Sequence, residues 1–340
     1  MNAKLRKTTN TLIKLLVVVL TFVFLYDQLV YRHDMENIQA FFPLIWQKQG
    51  VVFYLIALGL LLMANISIET FKWRMIISKL EPVSFWRAVK AVLAGMAVSM
   101  FMPNRVGDYL GRVFILRKAD RVQAVLVTML GSISQLLTTL LFGMAALLFY
   151  YPIVFDLGLP FHGWVYSGLV IGVLITAFIF IFAYLNFSSF TLIIKRISGR
   201  GYRKIQKYVE VFSWYSSGEL FQVLLLSMGR YLVFSFQFFL LLLVFQVPVS
   251  YLQAMMLVAM VYLFMTVIPT IALTEFGVRG SVSLTIFQQY LLAVGLWNEQ
   301  MALGVVAASS LLWVVNLVFP AAFGTVFIFS LRFIRRNHVG

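Results

Sequence analysis

Apolar runs about twenty residues long recur from one end of this sequence to the other, and they constrain the fold more than any other feature. Six stretches, 11–31, 51–71, 123–150, 164–186, 220–246 and 300–331, are each long enough as helices to cross the hydrocarbon core of a bilayer. A backbone in lipid must satisfy its own hydrogen bonds, and a helix does so within the segment. Only 11% of the 340 residues are charged, against roughly 25% in a soluble domain, so too little polar surface remains to coat a water-soluble globule. The sequence therefore reads as an all-α polytopic membrane protein, with a single transmembrane domain over 1–340.

The same composition narrows the chemistry. With no cysteine, the chain has no disulfide, thiolate metal site or cysteine nucleophile. Its three histidines, His33, His162 and His338, are scattered and suggest no metal centre. No phosphate-binding loop, dinucleotide fingerprint or zinc-protease motif is present. No cofactor is expected, and no enzymatic activity. The net charge of +15 would suggest nucleic acid in a soluble protein. Here the basic residues sit between apolar runs, where membrane orientation and anionic headgroups account for them.

Those charges alternate. Lys4, Arg6 and Lys7 precede the first run, which reads as an uncleaved span because Leu12 to Tyr26 lacks a small-residue cleavage site. Ten Lys and Arg lie between Lys72 and Arg121 and six between Lys195 and Lys207; Arg332, Arg335 and Arg336 end the chain. The 32–48 loop carries only Arg32 and Lys48, while 151–163 and 246–251 carry neither Lys nor Arg. The pattern fits cytoplasmic N- and C-termini.

Two further apolar stretches, 83–102 and 249–269, end at Pro103 and Pro269. Were 83–102 a full crossing, Arg105, Arg112, Arg117, Lys118 and Arg121 would lie outside, against the positive-inside rule. A re-entrant hairpin returning to the cytoplasmic side fits better. The 249–297 segment starts and ends outside, as a hairpin or as a pair of spans. The two regions, about 82–118 and 248–297, resemble each other. Pro82-Val83-Ser84-Phe85 aligns with Pro248-Val249-Ser250-Tyr251, then Ala88 with Ala254, Val92 with Val258 and Pro103 with Pro269, six identities in 22 positions. Three spans separate the copies, so they face opposite leaflets, the inverted arrangement of many transporters with broken helices. Residues 202–215 read either as a short helix on the cytoplasmic leaflet, with Ile205, Val209 and Phe212 on one face, or as a basic loop.

Chemistry-bearing residues gather after the two prolines. In Pro103-Asn104-Arg105-Val106-Gly107-Asp108-Tyr109-Leu110-Gly111-Arg112, proline breaks the helix and Gly107 permits a tight turn. Asp108 and Arg112, four apart, can pair, which leaves Arg105 for an anion. After Pro269, Thr274 can cap a helix starting at Glu275, Gly277 supplies a second break, and Glu275 and Arg279 are again four apart. Arg230 stands alone within its span, as a site residue or as a side chain snorkelling to the interface. Lys72, Trp73 and Arg74, with Glu69, read mainly as an interfacial anchor and headgroup contacts. The candidate substrate contacts are thus Asn104, Arg105, Asp108, Tyr109, Arg112, Arg230, Glu275 and Arg279.

At these motifs the chain resembles the flippase-like transmembrane domain of lysylphosphatidylglycerol synthases, over roughly 10–335. Lys72-Trp73-Arg74 followed by Val83-Ser84-Phe85-Trp86-Arg87-Ala88 fits the N-terminal half of that domain. Met102-Pro103-Asn104-Arg105-Val106-Gly107-Asp108 fits its Pro-x-Arg-x-Gly-acid motif, with Asp where many members have Glu. Glu275-Phe276-Gly277-Val278-Arg279-Gly280 resembles its Gly-x-Gly-Val-Arg-Glu motif, from which Glu275 and Gly280 depart. The resemblance implies a membrane domain that moves lipids between leaflets. The full synthases add a soluble aminoacyl-transferase domain, and a chain ending at Gly340 leaves no aminoacylation to expect.

The expectation is a flippase-type transporter of an anionic or zwitterionic phospholipid in the bacterial cytoplasmic (inner) membrane. Arg105 and Arg279 would meet the headgroup, while Asp108, Arg112 and Glu275 hold them or gate. A homo-oligomer and a separate lipid-modifying partner both stay open. The alternatives are an intramembrane lipid-modifying enzyme using Asp108 or Glu275, and a membrane scaffold.

Overall fold

The computed structural model describes residues 49–100, 106–154, 162–268 and 272–328, together with Leu12, Trp46 and Met102. Apart from Leu12, the expected first span lies outside the described residues, as do Pro103, Asn104, Arg105 and Pro269. Every regular element among the described residues is helical. In order these are α1 (Val51–Ile77), α2 (Phe85–Ser99), α3 (Gly107–Val113), α4 (Arg121–Val154), α5 (His162–Leu185), α6 (Ser188–Ser198) and α7 (Tyr202–Val209). There follow α8 (Ser217–Val244), α9 (Tyr251–Val267), α10 (Ala272–Ala293), α11 (Glu299–Trp313), a π-helical turn (Val314–Val318) and α12 (Phe319–Ile328). Helices α1, α4, α5, α8 and the continuous α11–π–α12 rod are long and apolar enough to cross a membrane. They match the five expected spans that fall within the described residues. Helix α5 is the most peripheral, with only 6% of its apolar window buried, as suits a lipid-facing surface.

Apolar packing forms two clusters at opposite ends of the bundle. One joins the C-terminal end of α1 (Trp73, Ile76, Ile77) to α2, the start of α4, the start of α8 and the C-terminal rod. The other joins the N-terminal end of α1 (Val51, Leu58) to the far ends of α4 and α8, and to α9, α10 and α11. Helices α1 and α8 therefore run antiparallel, and the segments that follow them enter the bundle from opposite ends.

The first of these segments doubles back. Gly111 lies against Gly95 so closely that an added Cβ would sit 2.6 Å from the Gly95 Cα. Gly107 likewise faces the carbonyl of Val98. The legs, α2 and α3, thus touch backbone to backbone. Glu81, just before α2, accepts backbone N–H bonds from Arg117 (2.9 Å), Lys118 (2.7 Å) and Ala119 (3.1 Å), just after α3. The chain enters and leaves at the same end. Burial pushes the Glu81 carboxyl upward, but the three amides and Arg87 outweigh it and hold it below the usual carboxylate range.

The second segment starts as the first does. Ser84 and Ser250 both stand at helix N-caps in extended conformation, and Ser250 adds a reciprocal capping box with Gln253. Its legs are longer: α9 has 17 residues and α10 has 22. At about 1.5 Å per residue α9 falls short of a roughly 30 Å core. Near the start of α11, Gly304 packs on Phe245 and Val247, which immediately precede α9. This segment too ends near where it begins.

Residues 202–215 are helical over Tyr202–Val209 and then form a 3-10 turn, Glu210–Trp214. Val209 and Val211 are buried against the bundle, Lys207 pairs with Asp120 at 2.7 Å, and Ile205 is exposed.

Candidate functional site

Between the two apolar clusters lies a polar waist. Its centre is Glu69 of α1, 4% exposed. Its carboxylate receives Lys72 at 2.8 Å, Arg112 at 2.6 Å and Arg230 at 2.9 Å, from α1, α3 and α8. Arg112 also holds Asp108, one turn back on α3, through two hydrogen bonds. Ionised groups at this depth are costly unless paired, and the sequence supplies a partner for each. Gln135 of α4 accepts from both Lys72 and Arg230 at 3.4 Å. Ser227 accepts from Lys72 at 3.4 Å and shares a 2.6 Å hydrogen bond with Ser134.

From Arg230 the network continues across the bundle. Its Nε donates to Asn65 Oδ1 at 2.7 Å, and Asn65 Nδ2 donates to Asn316 Oδ1 at 2.8 Å. Asn316 lies inside the π-helical turn. Such turns carry one extra residue per turn, re-aim side chains, and recur at functional sites.

This waist opens into a cavity of about 660 Å³. Residues from both post-proline segments line it: Tyr109 from α3, and Glu275 and Arg279 from α10. Arg230, Asn65, Gln135 and Asn316 line it too. Arg279 donates to Glu275 at 2.6 Å and rests over the Tyr262 ring at 5.6 Å. Tyr262 stacks on Phe234 at 4.8 Å between centroids, and Tyr231 stacks on Phe142 at 4.5 Å. Trp313 closes the wall edge-on to Phe276, at 5.4 Å.

Several expectations meet this geometry directly. The Asp108–Arg112 and Glu275–Arg279 pairs form at their i, i+4 spacing, and the two constellations border one cavity. Others need correction. Arg230 is neither alone nor snorkelling: Glu69 and Asn65 hold it inside the bundle. Lys72 and Trp73 are not headgroup anchors, since they are 2% and 1% exposed. Trp73 instead donates to Thr128 at 3.2 Å. Helix α10 begins at Ala272, so Thr274 lies within it rather than capping it. Gly277 is likewise intrahelical, with open space where a Cβ would go, and makes no second break. Gly107 acts through close backbone approach. Asn104, Arg105, Pro103 and Pro269 lie outside the described residues.

The sequence reading missed Glu69 as the hub, and it missed Asn65, Gln135 and Asn316 altogether. The available signal was their position: each is polar within an apolar run, where an unpaired polar group is costly. Among the described residues no group of His, Asp and Glu is arranged to hold a metal ion.

A helical bundle with a charged waist and an aromatic-walled cavity between two inserted segments defines a polytopic integral membrane protein. The chain belongs to the family described as the lysylphosphatidylglycerol synthase TM region, whose model matches residues 11–319. That membership ties it to lipid handling. No curated protein and no solved structure matches this chain.

Proposed function

We propose that the protein is a flippase-type transporter that carries a phospholipid headgroup through the waist cavity between leaflets. The observation that supports this most is the convergence of two chain segments, inserted from opposite ends, on one cavity that presents Arg230 and Arg279. A guanidinium offers a phosphate two parallel donors. The apolar surface around the bundle would keep acyl chains in lipid while the headgroup crosses. In this reading the segments 82–118 and 248–297 act as re-entrant hairpins, both termini face the cytoplasm, and the membrane is the bacterial cytoplasmic one.

Lipid modification is the weaker reading. Asp108 and Glu275, the carboxylates suited to acid–base chemistry, are each already engaged by an arginine. We propose a non-enzymatic role on that basis.

Proteoliposomes carrying acyl-chain-labelled phospholipid test the proposal through loss of outer-leaflet label to a membrane-impermeant reductant. The purified protein should raise the reducible fraction above the outer-leaflet half, and Arg230→Gln with Arg279→Gln should abolish the gain. Unchanged transport in the double variant sinks the headgroup assignment. A lipid of altered mass after incubation would favour the enzyme instead.

A further inference from the structure

Helix α5 is long enough to cross the hydrocarbon core alone, since its 24 residues extend about 36 Å. The 11 residues of α6, Ser188–Ser198, follow that crossing. Contacts set their level. Phe187, just before α6, stacks on Phe190 at 5.0 Å and meets Phe212 edge-on at 5.2 Å. Phe212 belongs to the 3-10 turn Glu210–Trp214. That turn is tied to the end of α1, where Lys79 donates to the Trp214 carbonyl at 2.6 Å and the Tyr215 hydroxyl donates to the Ile76 carbonyl at 2.6 Å. Helix α7 is tied to the start of α4, where Gln123 donates to the Lys207 carbonyl at 2.8 Å and Lys207 pairs with Asp120. Helix α6 is thereby held where α1 ends and α4 begins. Trp86 and Trp214 are both exposed at that end of the bundle, as aromatic residues are at a membrane–water interface.

The two short helices use their apolar residues differently. Helix α7 turns Tyr202 and Val209 inward. Helix α6 buries Thr191 and leaves Phe190, Leu192, Ile193 and Ile197 exposed, the last to 80%. Phe190, Ile193 and Ile197 fall at i, i+3 and i+7, on one face. Lys195 and Arg196, both exposed, lie off that face. An apolar stripe outside the spans marks an interaction surface, and charge points to the partner. From 157 to 209 the sequence has six basic residues and no acid.

We propose that α6 lies in the plane of the membrane as a docking surface for anionic lipid. Phe190, Ile193 and Ile197 enter the acyl boundary, and Lys195 and Arg196 reach the headgroups. Amphipathic basic helices bind bilayers through this combination, and each basic residue near an anionic surface adds about fivefold to the affinity. The surface stands whether or not a lipid crosses the waist.

Because the chain lacks cysteine, single labels test this. Ile197→Cys on α6 and Leu174→Cys in the middle of α5, both at exposed positions, each carry a small fluorophore in proteoliposomes. Lipids with a nitroxide high or low on the acyl chain quench according to depth. The α6 label should be quenched best by the shallow nitroxide and the α5 label by the deep one. An α6 label that no lipid quenches overturns the proposal, and so does one quenched best at depth, which would make α6 part of a span. Protection from lipid in a dimeric sample would assign the face to a second copy and overturn it equally. Headgroup choice is read with shallow-nitroxide phosphatidylglycerol against shallow-nitroxide phosphatidylcholine, as dilute tracers in one bilayer. The anionic tracer should quench the α6 label about twofold more strongly. Lys195→Gln with Arg196→Gln should remove that advantage while the Leu174→Cys signal stays unchanged. Equal quenching by the two tracers, or an advantage that the double variant keeps in a folded, monodisperse sample, refutes the anionic docking surface.

Discussion

Between Glu81 and Ala119 the chain turns back on itself with its legs in backbone contact. Its mouth is closed by a carboxylate on three amides, and its arginine is shared between two acids. Between Ser250 and Asn298 it turns back on longer legs, with Arg279 held by one acid on its own helix and a tyrosine ring beneath. Both segments carry the same acid–arginine spacing. The difference comes from the helix that precedes each. The offset that aligns Pro82 with Pro248 puts Ser235 of α8 where α1 has Glu69, and Phe238 where it has Lys72. The repeat kept its local chemistry, and among the described residues the hub that gathers cations from three helices is built on Glu69, in the first half.

Four predictions bear on this contrast. The largest effect is expected at Glu69. Glu69→Gln leaves Lys72, Arg112 and Arg230 buried around a neutral side chain, and removing one partner from such a cluster costs about 3–5 kcal/mol. Thermal unfolding in detergent should show it. Glu275→Gln deprives one described cation, Arg279, where Glu69→Gln deprives three, and its loss should be the smaller. Equal losses would erase the difference between the two halves.

Next comes the glycine contact. Gly111→Ala drives a methyl into Gly95, and overpacking of this kind costs about 1–3 kcal/mol. The same substitution at Gly277, where nothing lies within 4 Å, should be neutral or stabilise by up to about 1 kcal/mol through helix propensity. The same melts check both.

A smaller, pH-dependent effect follows from Glu81. Its folded pKa lies below the unfolded value, so its contribution is fully present above an ordinary glutamate pKa near 4.3. It is lost as pH falls through the lower, folded value. Melting temperatures of the protein and of Glu81→Gln should therefore differ at neutral pH and converge in acid, below about pH 4. A constant gap across that range would mean the amide cradle contributes nothing through charge.

The smallest effect concerns accessibility. Because the chain lacks cysteine, single cysteines report cleanly. A cysteine replacing Val267, 77% exposed at the end of α9 and on the cavity wall, should react with a water-soluble maleimide. One replacing Val98, buried at the corresponding end of α2, should stay protected. Labelling at both would make the first segment as open as the second.

Much of this was legible in sequence because membrane burial imposes one-dimensional rules. Spans, an interruption between α2 and α3 and another between α9 and α10, and the i, i+4 pairs follow from length, composition and helical spacing, none of which needs a neighbour. The hub was not legible. Glu69 looked like one more charge near a helix end because its worth depends on three cations brought by α1 itself, α3 and α8. Arg230 looked solitary because its partners are 161 and 165 positions away in Glu69 and Asn65. The π turn at Asn316 had no sequence signature at all.

The sequence alone determined that the chain is a helical membrane protein and which acid–arginine pairs form within one helix, because these depend on contacts a few residues apart. Only the tertiary structure decided that Glu69 gathers Lys72, Arg112 and Arg230, and that residues from both post-proline segments line one cavity. Those depend on which helices meet at the waist, and close approach of residues far apart in sequence is set by packing rather than by local spacing.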